Sequence, residues 1–190
     1  MHHNLSRALG IAVGVLADRL FGDPHRHHPV AWFGTWASRV EKPLYADDRA
    51  HGAGFVVAAV APVALVAMVV ERSTRTHPVA HAAATAVTTW AVLGARSLAH
   101  EGEQMADRLD EADLEGARAQ LGHLCGRDPA GLDESELARA VVESMAENTA
   151  DAVVASLFWG AVSGIPWPVV HRCLSTLDAW VGHRNDRYGR

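Results

Sequence analysis

The sequence predicts an all-α protein, a polytopic integral membrane helical bundle with cytoplasmic amphipathic helices. Three observations predict this fold. Uncharged apolar runs recur along the chain, polar and apolar residues never alternate for long enough to form a strand, and the charged residues are gathered between the runs. A soluble bundle with buried Ala- and Val-rich helices is the alternative. Membrane insertion explains the runs better, because each approaches the roughly 20 residues that cross a bilayer.

Within a single membrane-embedded domain, four segments are predicted to span the membrane, near residues 5–21, 52–70, 79–98 and 152–170. The first is the weakest, because Arg7, Asp18 and Arg19 crowd its ends. The link at 71–78 is short, so the second and third segments form a hairpin and both polar flanks lie on one side. Both flanks contain Arg, so the positive-inside rule places them in the cytoplasm and the N-terminus outside.

A polar helical segment is predicted at residues 100–150. Between Asp110 and Leu124, apolar residues recur at the three- and four-residue spacing of an amphipathic helix. Gly126 and Pro129 end this helix, and the acidic residues from Asp133 open the next one, where the helix dipole favours them.

Charge and cysteine content exclude two classes of function. The chain has 17 basic and 22 acidic residues and no basic run, so a nucleic-acid partner is not expected. Cys125 and Cys173 stand alone in the sequence, and we interpret them as two reduced thiols instead of a disulfide or a thiolate zinc site.

The densest candidate site precedes the last apolar run. On a regular helix Glu143, Glu147 and Asp151 would share one face, with Asn148 beside them. Three carboxylates entering an apolar segment need a cation among them, and carboxylate and amide oxygens suit magnesium. A solvated acidic stripe at a membrane entry point is the alternative.

A second group of polar residues follows the first predicted span. Gly22 and Pro24 should stop the helix and leave Asp23 and the nearby histidines, among them His28, at the membrane face. We interpret these histidines as hydrogen-bonded loop residues in preference to metal ligands. Asp18 lies inside the span, where an acid is usually paired or functional.

Two further groups are weaker signals. Asp178 lies near the end of the last apolar segment and is followed by Arg184 and Asn185. Arg127 and Asp128 form a turn that either caps helices or places an arginine against a phosphate. The nucleotide-binding P-loop and the dinucleotide fingerprint are both absent from the sequence.

Several of these strings together resemble the CobD/CbiB family of adenosylcobinamide-phosphate synthases. They occur at 20–30 (LFGDPHRHHPV), 96–98 (RSL), 117–118 (AR), 126–128 (GRD), 142–155 (VESMAENTADAVVA) and 176–188 (TLDAWVGHRNDRY). Their order along the chain is that of the family. Ser156 stands where the family commonly has Pro, and Ser175 where it commonly has Asn.

The resemblance implies an integral membrane enzyme of cobalamin biosynthesis in the cell membrane, in contact with lipid. Its reaction is an amide ligation that joins adenosylcobyric acid, a corrinoid, to aminopropanol or its phosphate, with ATP and Mg²⁺. Relatives continue beyond the point where this chain ends. We therefore expect a C-terminally truncated gene product, a fragment, or a split protein whose partner chain supplies the remaining part.

We assign an expected role to each candidate site residue from its chemical type. We expect Glu147, Asn148 and Asp151 to hold magnesium or orient the amine, with Glu143 as a further metal ligand. Asp23 and Asp178 are candidate ligands or bases. We also expect substrate contacts from His28, Arg127, Asp128, Arg184 and Asn185. Replacing Glu147 with Gln should abolish turnover.

Two other functions remain open at this stage. Asp18 and the acidic stripe from Glu143 to Asp151 could line the path of a cation carrier or channel. Alternatively, the chain could be a noncatalytic membrane scaffold that holds soluble corrinoid enzymes. The polar motifs gather on the predicted cytoplasmic side, which favours an enzyme or a scaffold over a pore.

Overall fold

A computed structural model describes residues 2–23, 28–124, 129 and 131–182 of the chain. Within these residues it is entirely helical, which confirms the all-α prediction. In chain order the helices are α1 (His2–Phe21), α2 (Pro29–Leu44), α3 (Arg49–Thr74), α4 (Pro78–Leu93), α5 (Ala95–Asp110), α6 (Leu114–Leu124), α7 (Glu134–Asn148), a π-helical segment (Thr149–Ala155), α8 (Ser156–Ser163) and α9 (Pro166–Val181).

Local chemistry sets several helix ends. Helix α1 ends where the sequence predicts, because Gly22 adopts a φ of +64°, which favours glycine. His28 caps α2 by accepting a hydrogen bond from the Val30 amide at 3.1 Å. Asp133 starts α7 as predicted, since it and Glu136 form a reciprocal capping box.

Helices α1 and α4 pack side by side and run in the same direction. A Cβ atom added to Gly10 would lie 2.6 Å from the Cβ of Thr85, and one added to Gly14 would lie 2.5 Å from that of Thr89. The contact pairs advance together along both helices, so the helices are parallel. This is the close approach that a Gly-x-x-x-Gly pattern permits in membrane helices, a pattern that the analysis of the sequence missed.

Two apolar clusters form the core. The first lies between α2, α3 and α9 and contains Phe33, Ala37, Phe55, Ala59, Val60, Cys173 and Leu177. The second lies between α5, α6 and α7 and contains Met105, Ala117, Leu121, Leu137, Ala140 and Val141. The second cluster is the predicted amphipathic unit, in which each helix buries one apolar stripe.

The other helices expose much apolar surface and bury polar groups. A stripe of exposed apolar side chains runs the length of α1, and consists of Leu5, Leu9, Val13, Leu16 and Leu20. Its opposite face buries Ser6 and Asp18. Soluble bundles show the reverse arrangement, so this distribution indicates that the stripe contacts lipid or another apolar surface.

Among the described residues, one helix is long and apolar enough to cross a membrane by itself, α3 at Arg49–Thr74. Helix α4 ends at Leu93, because Gly94 adopts a φ of +65° and α5 starts directly after it. The apolar run at 152–170 is not one continuous helix. It is divided between the π-helical segment, α8 and α9 by a turn at Gly164, where φ is +80°.

Candidate active site

Five polar side chains come together where α1 ends, α2 begins and α9 passes the π-helical segment. We call Asp23, His28, Asp151, Arg172 and Ser175 the charged cluster. The Nε2 atom of His28 lies 3.2 Å from Oδ1 of Asp23, and the Ser175 hydroxyl donates a hydrogen bond to Oδ2 of Asp151 at 3.2 Å. The carboxylates of Asp23 and Asp151 both interact electrostatically with Arg172.

Gly94 makes room for the centre of this cluster. A Cβ atom at this position would lie 3.2 Å from Oδ2 of Asp23 and 3.8 Å from a terminal nitrogen of Arg172. Its φ of +65° also disfavours any other residue. The break between α4 and α5 therefore lets backbone approach a carboxylate and a guanidinium closely, and this approach helps to position the site.

Partial burial strengthens the electrostatic interactions within the charged cluster. Desolvation lowers the pKa of Arg172, and the negative charges of Asp23 and Asp151 oppose that shift. The Nε atom of Arg172 is buried and has no hydrogen bond to a described residue, whereas Oδ1 of Asp23 faces Nε2 of His28 at 3.2 Å. Arg172 therefore retains bonding capacity for a ligand, and an arginine beside two carboxylates can bind an oxyanion while either carboxylate accepts a proton.

Arg172 also lines an apolar cavity of about 210 Å³ between α2, α3, α4 and α9. The cavity walls include Val30, Phe33, Val87 and Val92, and Arg172 is the charged residue among the described residues that line it. Apolar side chains would surround the apolar part of a small ligand in this cavity. Its polar end would meet the guanidinium.

Asp18 links two helices by a hydrogen bond and is not part of the charged cluster. Its side chain is 2% exposed and accepts a hydrogen bond from the Arg96 amide at 3.1 Å. The Arg96 guanidinium in turn donates to the carbonyl oxygens of Arg19 and Leu20. These bonds fix the end of α1 to the start of α5, next to Asp23.

The four residues predicted to hold magnesium do not converge. Glu143 pairs with Arg139 at 3.0 Å, Glu147 is exposed, and the side-chain amide of Asn148 donates to the carbonyl oxygen of Ser144. Asp151 alone joins the charged cluster. The wider π-helical turn starts at Thr149 and alters the four-residue register that would have aligned the carboxylates.

The remaining predicted site residues are scattered or undescribed. Asp178 is exposed near the end of α9, two turns beyond Arg172. Arg127, Asp128, Arg184 and Asn185 lie outside the described residues. Of the predicted residues, the structure therefore brings together Asp23, His28 and Asp151.

Arg172, Ser175 and Gly94 were missed as site residues. A signal for Arg172 was present in the sequence, since an arginine two residues after an apolar run is costly to bury without a partner. Ser175 lies three residues further along the same helix and hence close to the same face. Nothing in the sequence showed that Gly94 approaches Asp23, because that contact joins residues 71 positions apart (94 − 23).

Comparison with known proteins agrees with the family resemblance of the sequence motifs. The family described as CobD/Cbib protein matches residues 11–190. A cobalamin biosynthesis protein CobD from Mycobacterium tuberculosis is 48% identical over 97% of this chain and 58% of its own length. The CobD proteins of Chromobacterium violaceum and Geobacter metallireducens are 37% and 38% identical over 97% and 94% of this chain, and 61% and 58% of their own lengths.

The chain thus spans about three fifths of the length of these curated relatives. No solved structure gave a significant match. The family match covers nearly the whole chain and includes all the residues of the charged cluster. The chain belongs to the CobD/Cbib protein family.

Proposed function

We propose that this chain carries an amide-ligation site of cobalamin biosynthesis, in which the free carboxylate of adenosylcobyric acid is joined to aminopropanol or its phosphate. The names of its relatives support the pathway. The charged cluster supports the chemistry, because it combines a half-buried guanidinium with two carboxylates beside an apolar cavity. That arrangement is the single observation on which the proposal rests.

The reaction sets three requirements for the protein. A carboxylate must be activated before an amine can displace its oxygen, the negative charge that develops must be stabilised, and the ammonium must lose a proton to become a nucleophile. Arg172 meets the second requirement, since a guanidinium can hold an oxyanion with two parallel, charge-assisted hydrogen bonds. Asp151 and Asp23 are the candidate bases for the third, and Ser175 orients Asp151.

The cluster also fits ATP and magnesium, which the family resemblance implies. Magnesium is commonly held by one or two carboxylates together with substrate phosphates. Asp23 and Asp151, which both interact with Arg172, are the carboxylates that would hold it. When bound, ATP and magnesium would supply the phosphoryl group that activates the carboxylate and the charge that stabilises it.

Glu147 keeps a proposed role at the edge of this site. It precedes Asp151 by four residues, and its carboxylate is exposed at the start of the π-helical segment. An exposed carboxylate there is accessible to an amine or to a metal that arrives with its substrate. We propose that Glu147 makes such a contact, whereas Glu143 is already paired with Arg139.

The size of the cavity supports a proposal about where the smaller substrate binds. Pockets for drug-sized ligands occupy about 300–1,000 Å³, so a cavity of about 210 Å³ suits aminopropanol and excludes a corrin ring. We propose that the aminopropanol carbon chain lies against the apolar wall and that its phosphate, where present, contacts Arg172. The corrinoid would then present its propionate from outside the bundle.

We further propose that the chain is a multi-pass protein of the cell membrane. The apolar stripe of α1 and the exposed apolar residues Val57, Leu65 and Val66 of α3 support contact with lipid. The charged cluster lies at the end of the bundle from which α5, α6 and α7 continue, and we place that end in the cytoplasm. Cation transport is not favoured, because the relatives are named for cobalamin biosynthesis.

Mass spectrometry tests the proposed reaction. Membranes carrying this chain, from cells without their own enzyme for this step, are incubated with adenosylcobyric acid, aminopropanol phosphate, ATP and magnesium. We expect a product whose mass is the sum of the two substrates less one water. Retention of the corrinoid without product would indicate a binding scaffold, and neither product nor retention would refute the proposal.

A further inference from the structure

A second polar cluster lies at the other end of the bundle. It contains His3 at the start of α1, Glu71 near the end of α3 and His81 near the start of α4. At 1.5 Å of rise per residue, His3 is about 22 Å along α1 from Asp18. The amide-ligation chemistry proposed above makes no use of these residues.

The three side chains point their ligand atoms at one another. The Nε2 atom of His3 lies 3.2 Å from Oε1 of Glu71, and the Nε2 atom of His81 lies 3.3 Å from Oε2. One ligand atom from each residue falls within 4.8 Å of the others. In a tetrahedral zinc site with bonds of about 2.0–2.1 Å, neighbouring ligand atoms lie about 3.3 Å apart.

Ser6 forms a hydrogen bond with the ring of His81. The Ser6 hydroxyl lies 2.9 Å from the carbonyl oxygen of His3, to which it can donate, and 2.9 Å from Nδ1 of His81. In the tautomer of His81 that donates from Nδ1 to Ser6, the Nε2 lone pair faces a carboxylate oxygen, and this arrangement is repulsive unless a cation lies between them.

Burial raises the cost of leaving that position unfilled. The side chain of His81 is fully buried, and Glu71 also accepts a hydrogen bond from the Ile165 amide at 3.2 Å. One terminal nitrogen of Arg7 forms a long ion pair with Glu71 at 3.8 Å, and the other donates to the carbonyl oxygens of Ala161 and Val162. The carboxylate is thus held in place for His3 and His81 to share.

We propose that His3, Glu71 and His81 bind a divalent transition metal ion of the zinc type. Two imidazoles and one carboxylate form a known zinc ligand set that leaves the fourth position open. The hydrogen bond from His81 to Ser6 is the kind of outer contact that orients a metal-bound imidazole. A bound ion would join α1, α3 and α4 at this end of the bundle.

Metal titration of the full chain tests the proposal. The chain is purified in detergent with a tag that lacks histidine, stripped of metal, and titrated with Zn²⁺ and separately with Co²⁺. We expect one tight equivalent and cobalt absorption bands typical of tetrahedral coordination. His3→Gln, Glu71→Gln and His81→Gln should each lose that equivalent, and Ser6→Ala should weaken it about tenfold.

His77→Gln is the matched control. His77 is an exposed histidine at the start of α4 and contacts Thr76 instead of Glu71, so this variant should bind zinc as the wild type does. If Glu71→Gln or His81→Gln fails to fold, His3→Gln decides, because His3 is only half-buried. Absence of a tight equivalent in the wild type, or its retention in folded His3→Gln, would show that a proton bridges the cluster and would overturn the proposal.

Discussion

At the scale of single residues, Gly94 affects both the backbone conformation and the geometry of the charged cluster. An alanine there would have to adopt a φ of +65° and would place its Cβ 3.2 Å from Asp23. We predict that Gly94→Ala destabilises the fold by about 1–2 kcal/mol and lowers ligation activity, because Asp23 and Arg172 must shift. Chemical denaturation and the product assay measure the two effects.

Gly122→Ala is the control for that substitution. Gly122 lies in α6 with no atom within 4 Å of an added Cβ, so alanine should stabilise the helix by up to about 1 kcal/mol. If both variants kept wild-type stability and activity, the close approach of Gly94 to the charged cluster would have no functional role.

Cys173 adjoins Arg172 and yields a prediction about reactivity. Burial raises the pKa of the Cys173 thiol to about 12, so at pH 8 only about one molecule in 10⁴ carries the reactive thiolate. We predict that iodoacetamide leaves Cys173 unmodified in the folded protein at pH 8 and modifies it in denaturant, as measured by peptide mass spectrometry. Equal modification rates in the two states would contradict the burial of α9 against α2 and α3.

At the scale of helices, the α1–α4 contact depends on the absence of side chains. Gly14→Leu would place its side chain in the space occupied by Thr89, so the helices must separate. We predict a loss of about 1–3 kcal/mol, visible as a lower melting temperature in detergent. Gly34→Leu is the control, because an added Cβ at Gly34 in α2 meets no atom within 4 Å. An unchanged melting temperature for Gly14→Leu would rule out the close α1–α4 packing.

The helices also show what the sequence could predict and what it could not. Local signals were sufficient for the end of α1 at Gly22 and the start of α7 at Asp133, because a left-handed glycine and a capping box act within a few residues. The π-helical segment was not predictable from periodicity. It turned Asp151 towards Ser175, whereas Glu143 and Glu147 stay exposed on α7, so Asp151 does not join them in the predicted acidic face.

At the scale of the whole molecule, the fold predicts how the chain sits in a membrane. The turn between α3 and α4 lies beside the cluster of His3, Glu71 and His81. Helix α5 starts at the other end of the bundle, beside Asp23, and leads to the turn between α5 and α6. On a background with both native cysteines replaced by serine, we predict that Thr76→Cys reacts with an impermeant reagent from outside the cell. Asp113→Cys should react only after the cell is opened, and equal labelling of the two would contradict multi-pass insertion.

The full set of residues in the charged cluster could likewise be identified only from the tertiary structure. Asp23, His28 and Asp151 were recognised from their motifs, but their common partner Arg172 lies in a different motif-free part of the chain. Distances between residues far apart in sequence depend on how helices pack, and one sequence does not contain them explicitly. The resemblance therefore predicted the family correctly, whereas the arrangement of these residues came from the structure.

The measurement that tests the charged cluster most directly is the initial rate of product formation for Arg172 variants in membranes. We predict that Arg172→Gln lowers the rate at least about 100-fold, as expected when a group that stabilises an oxyanion is removed. Arg172→Lys should keep the fold but recover only part of the rate, and Arg139→Gln, on the exposed face of α7, should match the wild type. A wild-type rate in folded Arg172→Gln would contradict the assignment of this cluster as the ligation site.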